Sequence, residues 1–258
     1  MVRFFKKKTR REIDIAISEQ NGVRLLHLGG DMIQSAMKIA APHELVLLYT
    51  QCMMSFLLFN PQPAQIAMIG LGGGSLAKFT YHTMPQTKTV AIENSPQVID
   101  AARHLFALPA NDGRFQVVLA DGAEFIKDAA LNLDILMVDG FDDGQQIAAL
   151  CSQSFYDDAY GALGSNGILV VNLLSRDKHL STYLQRINQS FQSRTVAMLS
   201  EPQGNLIVLA FKKSPGKVSW KSLWGKATSL AEQYHLPFED FVSKLRKHQN
   251  SQNLHLDI

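Results

Sequence analysis

The alternation of apolar and polar positions predicts a small β-rich unit at the start of the chain. Glu12 to Ser18 alternates apolar and polar side chains, as a half-buried strand does. Asn21-Gly22 follows, which is a strong hairpin signal, and Val23 to Leu28 supplies the return strand. A further short strand is expected near Ile33. The prediction is therefore an antiparallel unit over residues 1–42.

After residue 42 the pattern changes to strands that alternate with amphipathic helices. A helix is expected over about residues 43–59. Alternation at the spacing seen here predicts a mostly parallel sheet with helices on both faces. The expected strands are 65–70, 88–93, 115–119, 133–138 and 167–172, and the expected helices are 74–83, 96–106, 122–129, 153–163 and 177–191.

The last third of the chain predicts a closing hairpin and a helical tail. Two apolar runs, 195–199 and 206–211, flank a turn that contains Pro202 and Gly204, and they predict an antiparallel hairpin at the sheet edge. Two amphipathic helices, split by Pro237, follow. The expected division is thus an N-terminal unit over 1–42, a main domain over 43–214 and a helical extension over 215–258.

Composition excludes several classes of protein. The 258 residues carry a formal net charge of +2, which is too small to indicate a nucleic-acid partner. Basic residues between Arg3 and Arg11 predict a flexible, solvated arm, with contact to an anion or a membrane surface as the alternative. The sequence contains no run of about 18 apolar residues, so no membrane span is expected. Cys52 and Cys151 form neither a metal set nor a disulfide framework, so a cytoplasmic protein with reduced cysteines is expected.

Candidate chemistry lies at the carboxyl ends of the predicted parallel strands, where open sheets bind ligands. The first strand ends in a loop that contains Gly70 and Gly72, and glycines let a nucleotide approach the backbone. The next three strands end at Glu93, at Asp121 and at Asp139. We expect Glu93 to bind a ribose diol and Asp121 to accept from an adenine amine. Each acid has a structural alternative as a helix cap or turn residue.

Several segments resemble the spermidine synthase family of aminopropyltransferases in order and spacing over about residues 12–212. Three resemble the family's D-G-x-x-Q-S, Y-x-E and G-G-G-D-G-G: Gly30-Asp31-Met32-Ile33-Gln34-Ser35, Tyr49-Thr50-Gln51 and Gly70-Leu71-Gly72-Gly73-Gly74. Four more continue the resemblance: Val90-Ala91-Ile92-Glu93, Ala120-Asp121-Gly122-Ala123-Glu124-Phe125, Val138-Asp139-Gly140-Phe141-Asp142 and Ser154-Phe155-Tyr156.

The resemblance implies a methyltransferase-like Rossmann fold that follows the β-rich unit. It implies decarboxylated S-adenosylmethionine as the aminopropyl donor, a small-molecule polyamine as acceptor, and a homodimer. Asp139 would assist proton loss from the attacking amine, and Tyr49 and Asp142 would line the amine channel. No metal is expected, because a sulfonium is already a good leaving group. The implied nucleoside-binding residues are Gln34, Glu93, Asp121 and Gly122, in addition to Gly70 and Gly72 of the loop.

Two departures from the family pattern keep other functions open. Gly73 stands where the family has an acid in its glycine loop, and Gln51 stands where an acid follows the tyrosine. Both acids help to hold cationic amines, so their absence weakens the prediction of putrescine as acceptor. One alternative is a methyltransferase that uses intact S-adenosylmethionine. The other is a nucleoside-binding relative whose acceptor site is catalytically silent.

Overall fold

The computed structural model describes residues 15–29, 33–128, 131–142, 145–249 and 254–258. The basic arm and the Gly30-Asp31-Met32 part of the family motif therefore lie outside the described residues. The N-terminal unit is an antiparallel sheet in the order β1-β2-β3. Its strands are β1 (Ile15–Gln20), β2 (Val23–Leu28) and β3 (Ile33–Lys38).

The hairpin between β1 and β2 turns at the predicted position. Asn21 and Gly22 both have positive φ, at 52° and 75°, which is the geometry of a two-residue turn that matches the strand twist. Leu26 and Met37 on the inner face are buried with Phe106 from the main domain. The small sheet is thus attached to the larger domain through an apolar contact.

The helix expected over 43–59 is shorter in the structure. It comprises α1 (Leu48–Met53) and a 3-10 turn over Met54–Leu58. Residue 47 precedes the helix without a side-chain capping bond. The segment is largely apolar and has no capping side chain at its start, so the sequence pattern alone could not locate the first residue of the helix.

The remaining elements follow the predicted alternation of strands and helices with two differences: the helix expected over 122–129 ends at Phe125, and the short strands 141–142, 145–146, 217–219 and 255–257 were not predicted. In chain order they are β4 (Gln65–Ile69), α2 (Ser75–Thr83), β5 (Lys88–Glu93), α3 (Pro96–Leu105), β6 (Phe115–Leu119), α4 (Gly122–Phe125), β7 (Leu133–Val138), β8 (Phe141–Asp142), β9 (Gln145–Gln146), a 3-10 turn (Ala148–Cys151), α5 (Gln153–Ala162), β10 (Leu163–Leu174), α6 (Leu180–Ser190), β11 (Thr195–Leu199), β12 (Asn205–Phe211), β13 (Lys217–Ser219), α7 (Trp220–Tyr234), α8 (Phe238–His248) and β14 (His255–Asp257).

The main sheet confirms the predicted fold class. Its seven strands run in the order β11-β12-β10-β7-β4-β5-β6. Neighbours from β10 to β6 pair in parallel, whereas β12 is antiparallel to both β10 and β11. The strand order reverses between β4 and β7. Such a switch point opens a crevice at the carboxyl ends of the strands, and this is where ligands bind in open α/β sheets.

Both faces of the sheet are covered, because alternate side chains of each strand point to opposite faces. In β7, Ile135 and Met137 join a cluster that includes residues of α1, α2, α7 and α8. Leu136 and Val138 join a second cluster with residues of α5 and α6. The C-terminal helices therefore pack on the same face as α1. No helix in the described ranges is long and apolar enough to cross a membrane.

Candidate active site

Three backbone hydrogen bonds align the ends of four neighbouring strands. The Asp139 N–H donates to the Ile69 carbonyl over 2.9 Å, and the Gly70 N–H donates to the Ile92 carbonyl over 2.9 Å. The Ala120 N–H donates to the Glu93 carbonyl over 3.0 Å. The predicted strand-end residues therefore follow one another along a single edge of the sheet, on both sides of the switch point.

The glycine loop after β4 is held by contacts that leave no room for side chains. Gly70 has φ +94°, and a Cβ there would overlap the carbonyl oxygen of Asp139. The Gly73 N–H donates to the Ser35 hydroxyl over 2.9 Å, which ties the loop to β3. A Cβ on Gly73 would lie 2.9 Å from the Phe106 ring and 3.0 Å from Ser35 Cβ. The family's acid could not occupy position 73 without a shift of these neighbours.

Glu93 braces the same loop from β5. Its Oε2 accepts from the Leu71 N–H over 3.1 Å, and its Oε1 accepts from the Ser95 N–H over 2.9 Å. Burial raises the pKa of Glu93, while the hydrogen bonds from Ser95 and Leu71 act in the opposite direction. Each carboxylate oxygen has a second lone pair, so the group can still accept from a ligand.

Asp121 is exposed and caps α4, which is the alternative that the sequence left open. Its Oδ1 accepts from the Ala123 N–H over 2.8 Å and from the Glu124 N–H over 3.3 Å. The described hydrogen bonds of this carboxylate use Oδ1 alone, so Oδ2 can serve a ligand. Gly122 beside it is buried against β4, and a Cβ there would clash with Ile69.

Asp139 lies at the centre of a side-chain network. Its Oδ2 accepts from the Tyr49 hydroxyl over 3.2 Å, and its Oδ1 accepts from the Asn172 amide over 2.8 Å. The Tyr49 hydroxyl also lies 3.4 Å from the Gln34 carbonyl oxygen. Burial raises the pKa of Asp139, and the bonds from Asn172 and Tyr49 partly offset this. Both oxygens are therefore held in place, and the carboxylate is well suited to accept a proton.

Asp139 in turn changes the pKa of Tyr49. Burial, followed by the nearby carboxylate and its hydrogen bond, raises the pKa of the Tyr49 hydroxyl well above its usual value. Tyr49 therefore stays protonated and acts as a donor throughout the neutral range. The sequence predicted Tyr49 as a neighbour of the acceptor, but it did not predict that its hydroxyl positions Asp139.

Asn172 is a site residue that the sequence analysis missed. It is 1% exposed near the carboxyl end of β10, and its Oδ1 accepts from the Asn205 amide over 2.8 Å. Its backbone carbonyl accepts from the Gln146 amide over 3.0 Å. A lone polar residue in the apolar run 168–174 was the available signal, because buried polar groups require hydrogen-bond partners.

A cavity of about 160 Å³ lies beside this network, and we call it the Tyr49 cavity. Tyr49 and Asn172, which both hold Asp139, form part of its wall together with Gln34 and Asn205. Glu201, from the turn between β11 and β12, also lines it. The apolar part of the wall comprises Ile33, Leu47, Leu48, Phe141 and Leu174.

Two other positions from the sequence analysis are Asp142, a predicted substrate-binding residue, and Gln51, a departure from the family pattern. The Asp142 backbone belongs to β8, but its side chain lies outside the described residues. Gln51, which replaces the family's second acid, donates from Nε2 to the Leu45 carbonyl over 2.7 Å. Its amide is thus used within the loop before α1. Among the residues that the structure describes, no group of three or more His, Cys, Asp or Glu side chains could hold a metal ion.

Residues 46–213 match the sequence model of the spermine/spermidine synthase domain. The chain belongs to this family. The polyamine aminopropyltransferase of Chromobacterium violaceum is 38% identical, over 94% of this chain and 95% of that protein. The polyamine aminopropyltransferase of Neisseria meningitidis serogroup B is 40% identical, over 95% of this chain and 94% of that protein. The predicted family is confirmed.

Solved structures support the fold. A probable spermidine synthase from Corynebacterium glutamicum superposes with a TM-score of 0.73 at 16% identity, over 91% of this chain and 92% of that chain. Human methyltransferase-like protein 13, solved with SAH, superposes with a TM-score of 0.67 at 25% identity, over 74% of this chain and 94% of that chain. The fold is therefore shared by aminopropyltransferase and methyltransferase relatives.

Proposed function

We propose that this protein transfers an aminopropyl group from decarboxylated S-adenosylmethionine to a polyamine or a related amine. The observation that carries the proposal is the Asp139 carboxylate, held by Tyr49 and Asn172 beside the Tyr49 cavity. Membership of the spermine/spermidine synthase family supports the same reaction. Relatives named polyamine aminopropyltransferase are similar over nearly the whole chain, which supports it further.

The residues of the glycine-loop side fit a nucleoside. The Glu93 oxygens brace the loop and keep lone pairs for a ribose diol. We propose that Asp121 accepts from the adenine amine through the oxygen that does not cap α4. The proposed nucleoside-binding residues are Gln34, Gly70, Gly72, Glu93, Asp121 and Gly122. The donor, when bound, supplies a carbon activated by a neighbouring sulfonium.

We propose that Asp139 acts as the base of the transfer. An alkylamine has a pKa of about 10.4 and is mostly protonated at neutral pH, so it must lose a proton before or during attack. The amine nitrogen forms a bond to the activated carbon as the carbon–sulfur bond breaks, and the sulfur keeps the electron pair in the leaving thioether. Asp139 accepts the proton of the amine. Tyr49 and Asp142 are proposed to position the amine.

Methyl transfer is the second candidate, and Gly73 is the observation that favours it. The family's acid is absent at this position, so the loop lacks one group that would bind an amine and repel the carboxylate of intact S-adenosylmethionine. Human methyltransferase-like protein 13, solved with SAH, shares the fold at 25% identity. A cleft that admits the methionine carboxylate would support this reaction.

Two measurements separate the candidate reactions. Calorimetry gives the affinities for methylthioadenosine, S-adenosylmethionine and decarboxylated S-adenosylmethionine, and a turnover assay with a panel of amines shows whether a group is transferred. Tighter binding of the decarboxylated donor, together with turnover of an amine, is the expected result. Tighter binding of the intact donor would favour methyl transfer and contradict the proposal. Binding without turnover across a panel of amines would indicate a silent acceptor site and would also contradict it.

We also propose a cytoplasmic homodimer whose partners are small molecules, with no nucleic acid, membrane or metal in its activity. The division into an N-terminal unit over 1–42, a catalytic domain over 43–214 and a helical extension over 215–258 is part of the same proposal. Size-exclusion chromatography with light scattering tests the dimer, and removal of residues 215–258 tests whether the catalytic domain folds without the extension.

A further inference from the structure

Glu201 places an exposed carboxylate at the Tyr49 cavity. It begins the turn between β11 and β12, where its carbonyl accepts from the Gly204 N–H over 3.0 Å. Within the described part of the chain, its side-chain oxygens have neither a hydrogen bond nor an ion pair. A carboxylate that lines a cavity without a protein partner is available to a ligand.

The turn that carries Glu201 is anchored from α8. Lys244 donates from Nζ to the Ser200 carbonyl over 2.6 Å and pairs with Asp240 at 2.9 Å. Lys244 therefore fixes the residue before Glu201, while its own charge is balanced within α8. The backbone position of Glu201 is thus set by the fold, and its exposed side chain extends from an anchored turn.

Polar groups lie at two opposite ends of the Tyr49 cavity. Tyr49 and Asn172 mark the inner end, because both hold the partly buried Asp139. Glu201 marks the solvent end, and apolar side chains such as Leu48 and Leu174 lie in the wall. This arrangement complements a linear molecule with a reactive amine at one end, methylenes in the middle and a cation at the other end.

We propose that Glu201 binds the distal ammonium of a linear diamine acceptor and so determines acceptor specificity. The inference rests on the proposed aminopropyl transfer and adds a specificity-determining residue to its acceptor site. Gln51 cannot supply this charge, because it is neutral and its amide donates to the Leu45 carbonyl. Glu201 thus provides a cation-binding carboxylate from a different segment of the chain.

The test pairs one substitution with two acceptors, 1,4-diaminobutane and 1-aminobutane, which differ by the distal amine. In Glu201→Gln, kcat/KM for the diamine should fall about tenfold, which is the loss expected when a partly exposed charge-assisted hydrogen bond is removed. The value for the monoamine should stay unchanged. Calorimetry in the presence of methylthioadenosine should show the same tenfold weakening for the diamine alone. Glu232→Gln, at an exposed position on α7, is the matched control and should change neither value.

The outcomes separate the inference from the function on which it rests. A wild-type protein that transfers an aminopropyl group to no amine would overturn both. A wild-type protein that is active, with Glu201→Gln weakening both amines equally or neither, would overturn the role of Glu201 alone. Retention of part of the diamine preference in Glu201→Asp, which keeps the charge on a shorter side chain, would support the inference.

Discussion

The two halves of the candidate site are built in different ways. The donor half, from β4 to the start of α3, consists of backbone: the Gly70 turn, the Leu71 N–H and the Ser95 N–H, held together by Glu93. The acceptor half consists of side chains, with Asp139 at its centre. Its members come from four separate segments of the chain: Tyr49, Asp139, Asn172 and Asn205.

The difference predicts that the donor half tolerates fewer substitutions than the acceptor half. The glycine loop cannot take even a small side chain at Gly70 or Gly73 without a shift, since the added atoms meet the Asp139 carbonyl or Phe106. A side-chain network can change specificity through single replacements at its rim. We therefore expect substitutions in the donor half to affect nucleoside binding and folding, and those in the acceptor half to affect turnover.

The largest expected effect is that of Asp139→Asn. Loss of the base should lower turnover by about 10²–10⁴-fold, the usual contribution of a positioned proton acceptor. Nucleoside affinity should stay within about tenfold, because the substitution leaves the donor half intact. Steady-state kinetics and calorimetry measure the two quantities. Asp100→Asn, at an exposed position on α3, is the matched control, and turnover retained in Asp139→Asn would refute the base role.

Glu93→Gln is the corresponding change in the donor half, as Asp139→Asn is in the acceptor half. Both oxygens of Glu93 accept from backbone N–H groups, whereas a glutamine amide has only one oxygen. Its NH₂ group would face the N–H of Leu71 or Ser95, two donors would meet, and the loop would lose a charge-assisted hydrogen bond. Methylthioadenosine affinity should fall by about 10–100-fold, consistent with loss of a bond worth about 1.5–3 kcal/mol. Amine KM at saturating donor should change little. A larger effect on amine KM than on nucleoside affinity would contradict the separation of the two halves.

Gly73→Ala tests the space around the glycine loop. The added methyl group would press on Phe106 and Ser35, and the free energy of unfolding should fall by about 1–3 kcal/mol. Gly161→Ala is the matched control, because a Cβ there meets nothing within 4 Å. In the helix α5 it should raise the free energy of unfolding by about 0.5–1 kcal/mol. Urea denaturation of both variants is the measurement, and equal stability of the two would show that the loop has spare room.

The smallest effect is expected from Tyr49→Phe, and it depends on pH. The Tyr49 hydroxyl lowers the pKa of Asp139, which burial has raised. Without that hydroxyl the pKa of Asp139 rises further, so the base is protonated at higher pH and the acidic limb of kcat/KM moves upward. At the acid end the variant should lose about three- to tenfold relative to wild type. Tyr81→Phe, on α2, should leave the profile unchanged, and an acidic limb that stays fixed in Tyr49→Phe would contradict the contact.

The backbone of the donor half was predictable because its signals are local in the sequence. The two strands, the glycine turn and the acid that follows the second strand all occur within residues 65–93. Their order alone places the glycine turn and the acid at the carboxyl ends of parallel strands, where ligands bind. Asp121 shows the limit of that reasoning, because a strand-end acid and a helix cap have the same sequence pattern. The roles of the individual site residues stay predictions.

The acceptor half was less predictable because it depends on tertiary contacts. Asn172 approaches Asp139 only when β10 lies beside β7, and Glu201 reaches the Tyr49 cavity only through the β11–β12 turn. Non-local neighbours of this kind leave no periodic signal. The helix expected over 43–59 was predicted to start too early for a local reason: no capping side chain marks where it begins.

The most direct test of the central claim is mass spectrometry of the products formed by the wild-type protein. It is incubated with decarboxylated S-adenosylmethionine and 1,4-diaminobutane, and in parallel with intact S-adenosylmethionine and the same amine. The account predicts that methylthioadenosine and the aminopropylated amine appear in equal amounts in the first reaction, and that Asp139→Asn forms both at least about 100-fold more slowly. A methylated amine in the second reaction, with no aminopropylated product in the first, would contradict it.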